Sequence, residues 1–189
     1  EAVDLLAEKR TREPKAVQTE VLEFIRTRFV NFHTSRDFPL DVVEAVVRAR
    51  FDDVVDARRR VEAVDHWKSR EDFDSIIIGF KRVVNILKDT APQSVSQKLL
   101  AQDEEKRLYS TFKDVSKRAD SLVQKGEYAK ALEIIAELKS PIDEFFDAVM
   151  VMVDDEGLRN NRLGLLQKIA DLFSQIADFS FIGSTAQGK

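Results

Sequence analysis

The sequence predicts an all-α fold, a bundle of about eight helices. Apolar residues recur at spacings of three and four, the signature of one helix face. Only six glycines and four prolines interrupt 189 residues, too few for a turn-rich β architecture. Short polar stretches separate the periodic segments, as helices joined by short loops require.

Pro14 reads as a first-turn proline opening a long helix, with Val17, Val21, Phe24, Ile25, Phe29 and Phe32 along one face. Residues 33–38 form a polar turn. Pro39 opens the next helix, Asp37 is its candidate cap, and Leu40, Val43, Val46 and Val47 follow. The β-branched content of that stretch argues for a strand, but the spacing and the interleaved charges favour a helix. A third helix is expected from Asp53 to Lys68, with Val54, Ala57, Val61 and Val64 on one side and Arg58, Arg59 and Arg60 on the other.

Residues 71–88 give the clearest signal, with Phe73, Ile76, Ile77, Phe80, Val84 and Leu87 in helical register. Gly79 inside this helix costs roughly 1 kcal/mol relative to alanine and suggests close approach of another backbone. Residues 89–102, with Pro92, Gln93, Ser94, Ser96 and Gln97, read as a loop or weakly helical insert. Leu108, Phe112, Val115, Ala119 and Leu122 mark a long helix that Gly126 stops. Tyr128 to Leu138 makes a short helix. Ser140 and Pro141 punctuate, and Phe145, Phe146, Val149 and Met150 drive another helix. Leu158, Leu165, Ile169, Leu172 and Ile176 mark the last. A soft boundary near residues 65–72 separates a helical connecting module (1–68) from a helical domain (69–182), with a small, polar, frayed tail at 183–189.

The absence of cysteine excludes disulfides and thiolate zinc sites and suits a reducing cytoplasm. No apolar run approaches the roughly 20 residues of a membrane span, and no secretory leader is visible. The chain starts at Glu1 rather than Met, so it is expected to be a piece of something longer. His33 and His66 have no second ligand at metal spacing and read as surface or partly packed side chains; no metal site is expected. Trp67, Phe145 and Phe146 read as core. Paired carboxylates such as Asp154 and Asp155, or Glu104 and Glu105, read as solvated or capping groups. No catalytic constellation emerges. The segment Gln124 to Leu132 looks like one tetratricopeptide turn, but such repeats need about three copies to stack.

Three basic groups could meet an anionic partner. Lys81, Asn85 and Lys88 lie at i, i+4 and i+7 beside the apolar stripe, with Arg82 adjacent. Cations suit phosphates, and an amide reads a base edge or a ribose hydroxyl. An ordinary solvated face gives the same pattern. Arg159 and Arg162 stand one turn apart with Asn161 nearby. They could fork a phosphate or stack on an unpaired base, or pair with Asp154, Asp155 and Glu156. Arg58, Arg59 and Arg60 spread around the helix circumference and form no single patch. The net charge of −4 counts against nucleic-acid binding, although local patches rather than the total govern it.

Three stretches resemble one family. They are Asp72 to Lys88, Phe145 to Met152, and Leu158 to Leu166 with its continuation to Phe179. A looser match covers Leu40 to Val46 and Asp53 to Arg58. In this order they are similar to the anticodon-binding tail of the β subunit of bacterial two-subunit glycyl-tRNA synthetase. The resemblance implies an all-α domain of the DALR type, of whose naming motif Glu156-Gly157-Leu158-Arg159 keeps only Leu-Arg. It further implies tRNA(Gly) as partner and association with a catalytic α subunit through the rest of the β subunit. The ATP, Mg²⁺ and glycine chemistry would lie in the whole enzyme, with no cofactor and no catalytic residue here. On this reading Lys81, Arg82, Asn85, Lys88, Arg159, Asn161 and Arg162 contact the anticodon arm, Arg58, Arg59 and Arg60 make weaker phosphate contacts, and the two cationic rows share one exterior face. The competing expectation is a helical scaffold contacting other parts of its own complex.

Overall fold

Pro14 stands in the first turn of α1 (Pro14–Thr34), where a missing amide hydrogen breaks no helical bond. Seven more helices follow in the computed structural model, which describes residues 13–91 and 93–183. They are α2 (Leu40–Ala49), α3 (Val54–Lys68), α4 (Phe73–Ile86), α5 (Asp103–Gln124), α6 (Tyr128–Ile135), α7 (Lys139–Ala148) and α8 (Glu156–Ser174). No strand occurs among the described residues. Pro92 and the tail from Ser184 onward lie outside them.

Most local expectations meet a physical counterpart. Asp53 caps α3 by accepting from the amides of Val55 (2.7 Å) and Asp56 (3.0 Å). Gly126 adopts φ 70° beyond the end of α5, the left-handed turn that folds α6 back on α5. Among the described residues of 89–102 the one helical turn is a 3₁₀ turn, Gln97–Leu99. Trp67 is buried and packs edge-on against Phe73 (5.4 Å) and Phe179 (5.6 Å).

Four details differ. Asp37 does not cap α2. It takes φ 69° in the preceding turn, and Pro39 occupies the cap position without a side-chain bond. Ser140 and Pro141 do not punctuate. The chain runs from α6 through a 3₁₀ turn (Ala136–Leu138) straight into α7, with Pro141 in its first turn, where proline is tolerated. Val149 and Met150 are not helical, because α7 ends at Ala148 and the backbone turns extended. His33 is buried, more closely packed than the surface or partly packed position expected, and ringed by Phe29, Phe32 and Phe38.

One hydrophobic core runs from the end of α1 (Phe29, Val30) to Ile182, just past the 3₁₀ turn Phe179–Phe181, and is continuous across residues 68–73. Phe80 of α4 stacks on Phe173 of α8 at 4.5 Å. The Asp178 amide donates to the Ala45 carbonyl at 2.8 Å, tying the end of the domain to α2. By contrast α1 packs chiefly on α2 and, among its described side chains, buries only Phe29, Val30 and His33, leaving Val21, Phe24, Ile25 and Phe32 exposed.

The close backbone approach occurs at Gly164, not Gly79. A Cβ at 164 would lie 2.8 Å from the Ser94 carbonyl oxygen, whereas one at 79 would meet Asp143 and Ile142 at 3.7 Å. Gly164→Ala is therefore expected to lower stability by about 1–3 kcal/mol. Gly79→Ala should raise it by up to about 1 kcal/mol. Urea denaturation of the two variants gives opposite shifts in midpoint if this packing is right.

Candidate nucleic-acid interface

The α4 helix buries Phe73, Ile76, Ile77, Phe80 and Val83 against its neighbours, which turns its opposite flank outward. Arg82 and Asn85 lie on that flank, and Lys88 just beyond its end; all three are exposed. The Arg82 guanidinium sits over the Phe146 ring of α7, 4.5 Å from its centroid. Asn85 and Lys88 make no side-chain hydrogen bond or ion pair among the described residues. This gives one pre-positioned guanidinium, one open amide and one open ammonium along a single ridge.

Lys81 does not belong to that ridge. It is half-buried, and its Nζ donates to the Ile182 carbonyl at 2.8 Å, pinning the C-terminal strap to α4.

The second expected row is interior. The N-terminal half of α8 faces the core, and Asn161 to Leu166 are all buried. The Arg162 Nε donates to Glu105 of α5 and its Nη1 to the Met150 carbonyl (2.8 Å), with the two side chains only 6% and 1% exposed. Glu105 also accepts from the Gln102 amide (2.9 Å) at the start of α5. The Asn161 Oδ1 accepts from the Ser96 amide at 2.6 Å. Arg159 is half-buried and donates to the backbone carbonyls of Val153 (2.8 Å) and Asp154 (3.4 Å), not to the side-chain carboxylates at the helix start. Asp155 instead caps α8 through the Leu158 amide. Arg159, Asn161 and Arg162 thus brace the segment Val149–Asp155 and the segment Gln93–Ser96 from within. They form no exterior cationic row.

What they brace was missed in the sequence. In Val149 to Val153 the first two valines are buried, Val153 is half-buried and the methionines point out, Met150 being 73% exposed and Met152 57%. The alternation of Val149, Met150, Val151, Met152 and Val153 is a period of two and was masked by the preceding helical aromatics. Two thioethers are held in solvent on a segment anchored by two arginines.

The arginine run of α3 splits as three successive helix positions must. Arg58 is exposed and pairs with Glu62 (2.8 Å). Arg59 is exposed. Arg60 is fully buried, so it is no phosphate contact. It pairs with Asp56 (2.9 Å) and donates to the carbonyls of Val46 (3.1 Å), Arg50 (2.8 Å) and Ile176 (3.2 Å), joining α2, α3 and the end of α8.

Asp56 also accepts from the Tyr128 hydroxyl. Burial opposes its ionisation, but bonds from Tyr128 and Arg50 and the charge of Arg60 outweigh that and hold its pKa below the usual carboxylate range. Asp41 behaves alike: burial is overcome by Lys68 and the Gly183 amide. A depressed folded pKa stabilises the fold above the unfolded value of about 3.9, and this is lost as pH falls through the folded values. Thermal melts should hold steady from pH 7 to about 5 and drop below pH 4, with a smaller acid drop in Asp56→Asn.

Comparison with known proteins completes the picture. Residues 76–182 match the family model described as the DALR anticodon binding domain. The chain belongs to that family. The DALR domain thus includes most of α4, its outward ridge, the methionine segment and all of α8, and its all-α architecture agrees with the helices found here. The DALR chain is also 46% identical over 94% of its length to a protein named glycine–tRNA ligase beta subunit from Geotalea daltonii. It is 46% identical over 95% to one of the same name from Geobacter sp. strain M21, and 44% identical over 94% to one from Trichlorobacter lovleyi. It spans 26% of the length of each of these relatives.

Proposed function

We propose that this chain is the anticodon-arm recognition module of a glycine–tRNA ligase β subunit, taking tRNA(Gly) as its partner and supporting glycylation without catalysing it. The observation that carries the reading is the DALR match over residues 76–182, joined to 46% identity with a glycine–tRNA ligase β subunit across 94% of the chain. Arg82 and Lys88 dock on anticodon-arm phosphates, and Arg59 adds a weaker contact. Asn85 reads a base edge. Met150 and Met152 offer polarisable side chains on which unstacked bases rest. Arg159, Asn161 and Arg162 act indirectly by positioning the methionine segment. The chain needs no cofactor of its own; ATP, Mg²⁺ and glycine belong to the whole enzyme, in which a catalytic α subunit joins through the rest of the β subunit. A cytoplasmic location follows from that role.

Titrating a tRNA(Gly) anticodon arm into the protein tests this. The arm should bind with an affinity that falls steeply with salt, and arms with scrambled anticodons should bind less tightly. Equal affinity for scrambled arms would remove the base-reading role of Asn85 and the methionines. Met150→Ala with Met152→Ala should weaken the cognate arm by roughly 2- to 10-fold at unchanged salt slope.

A further inference from the structure

The α1 helix carries an apolar face that no other helix covers among the described residues, though the Arg28 and Arg36 guanidinium groups lie over its Phe24 (4.7 Å) and Phe32 (4.1 Å) rings. Phe24 is 59% and Phe32 49% exposed, and across from them at the start of α3 Val55 is 60% exposed. Between α1 and α3 lies a groove of about 940 Å³, floored by Ile25, Phe32, Val54 and Val55. Both charged residues lining it are cations: Arg28, whose guanidinium lies over the Phe24 ring, and Arg58, which also pairs with Glu62. His33 also lines it, and its buried Nδ1 has no hydrogen-bond partner. Burial first, and then the nearby arginines, lowers its pKa, so the ring can donate or accept one hydrogen bond as a neutral group. An exposed apolar floor with basic edges marks a docking surface.

We infer that this groove is filled by another segment of the same, longer polypeptide: an amphipathic helix with apolar residues inward and carboxylates toward Arg28 and Arg58. The inference rests on reading the chain as part of a glycine–tRNA ligase β subunit, and three facts favour this occupant. The floor, three aliphatic side chains and the Phe32 ring, fits the helix-in-groove mode. The groove lies wholly before residue 76, outside the anticodon-binding match. The relatives carry nearly three-quarters of their length beyond the region matched, since the chain spans 26% of each. A tethered segment meets the groove at a high effective concentration that a separate molecule lacks. The first three helices then act as a mount fixing the anticodon-binding domain to the body of the subunit.

Photo-cross-linking in the full-length β subunit, assembled with its α subunit, tests this. Benzoylphenylalanine replaces Phe24 or Phe32 in turn, both exposed positions. The expected products are cross-links within one polypeptide, to peptides outside the 189 residues described by this sequence, and these should be lost when Val55→Asp and Ile25→Asp are added. Hydrogen exchange should show the same loss as faster exchange of α1 amides in the aspartate variant. Cross-links to tRNA, to the α subunit or to a second β subunit, or none at either position, overturn the inference. Binding of the anticodon arm is measured on the same samples. A failure of tRNA recognition therefore appears separately from a failure of docking.

Discussion

Arg162→Ala should destabilise the fold by about 3–5 kcal/mol. The substitution leaves the Glu105 carboxylate 1% exposed and facing an empty space. Removing one partner of a buried pair costs far more than replacing both, because the remaining charge has neither water nor counter-ion. The Met150 carbonyl loses its donor as well, which frees the methionine segment. Arg162→Met combined with Glu105→Gln should recover much of the loss, since an uncharged pair of similar volume tolerates burial. Urea denaturation reads both variants. If Arg162→Ala instead keeps wild-type stability and loses only affinity for RNA, Arg162 contacts the nucleic acid directly and the interior placement is wrong.

Arg162 also shows which features a sequence reveals and which it hides. The α4 helix was legible because its apolar positions lie within fifteen residues and follow one period. The left-handed stop at Gly126 and the cap at Asp53 were legible because each depends on its immediate neighbours. The burial of Arg162 was not, because the deciding partner, Glu105, is 57 residues away. The role of Arg60 depends on a carbonyl 116 residues distant, and that of Lys81 on one 101 residues distant. A cation's spacing on a helix says which residues share its face but not whether that face meets water or another helix. Two basic ridges therefore looked alike, yet only the α4 ridge faces outward. The methionine segment was hidden for another reason. Its period of two spans only five residues and abuts a helix rich in aromatics, so the longer period dominated the pattern. The exposed face of α1 shows the converse limit: amphipathicity marks a surface for burial without saying that its partner lies within the same 189 residues.

Reversing the charges of the outward ridge, with Arg82→Glu and Lys88→Glu together, should weaken binding of the tRNA(Gly) anticodon arm by roughly 10- to 100-fold at moderate salt. Stability should change by less than about 1 kcal/mol, because both side chains are exposed and neither has an acid partner to lose. The discriminating quantity is the dependence of affinity on salt. Each phosphate contact contributes roughly 0.7–0.9 to the slope of log affinity against log salt, so two lost contacts should flatten it by about 1.5. Asn85→Ala should behave differently, leaving the slope unchanged while narrowing the gap between cognate and scrambled arms. Lys81→Met supplies the control. Its ammonium is committed to the Ile182 carbonyl, so its loss should register as reduced stability with little change in slope. An unchanged slope in the double reversal would move the phosphate contacts off α4, leaving other exposed cations such as Arg59 to supply the electrostatic grip. A flattened slope in Lys81→Met would mean that the C-terminal strap lifts away when RNA arrives and releases that lysine to the backbone it was first expected to meet.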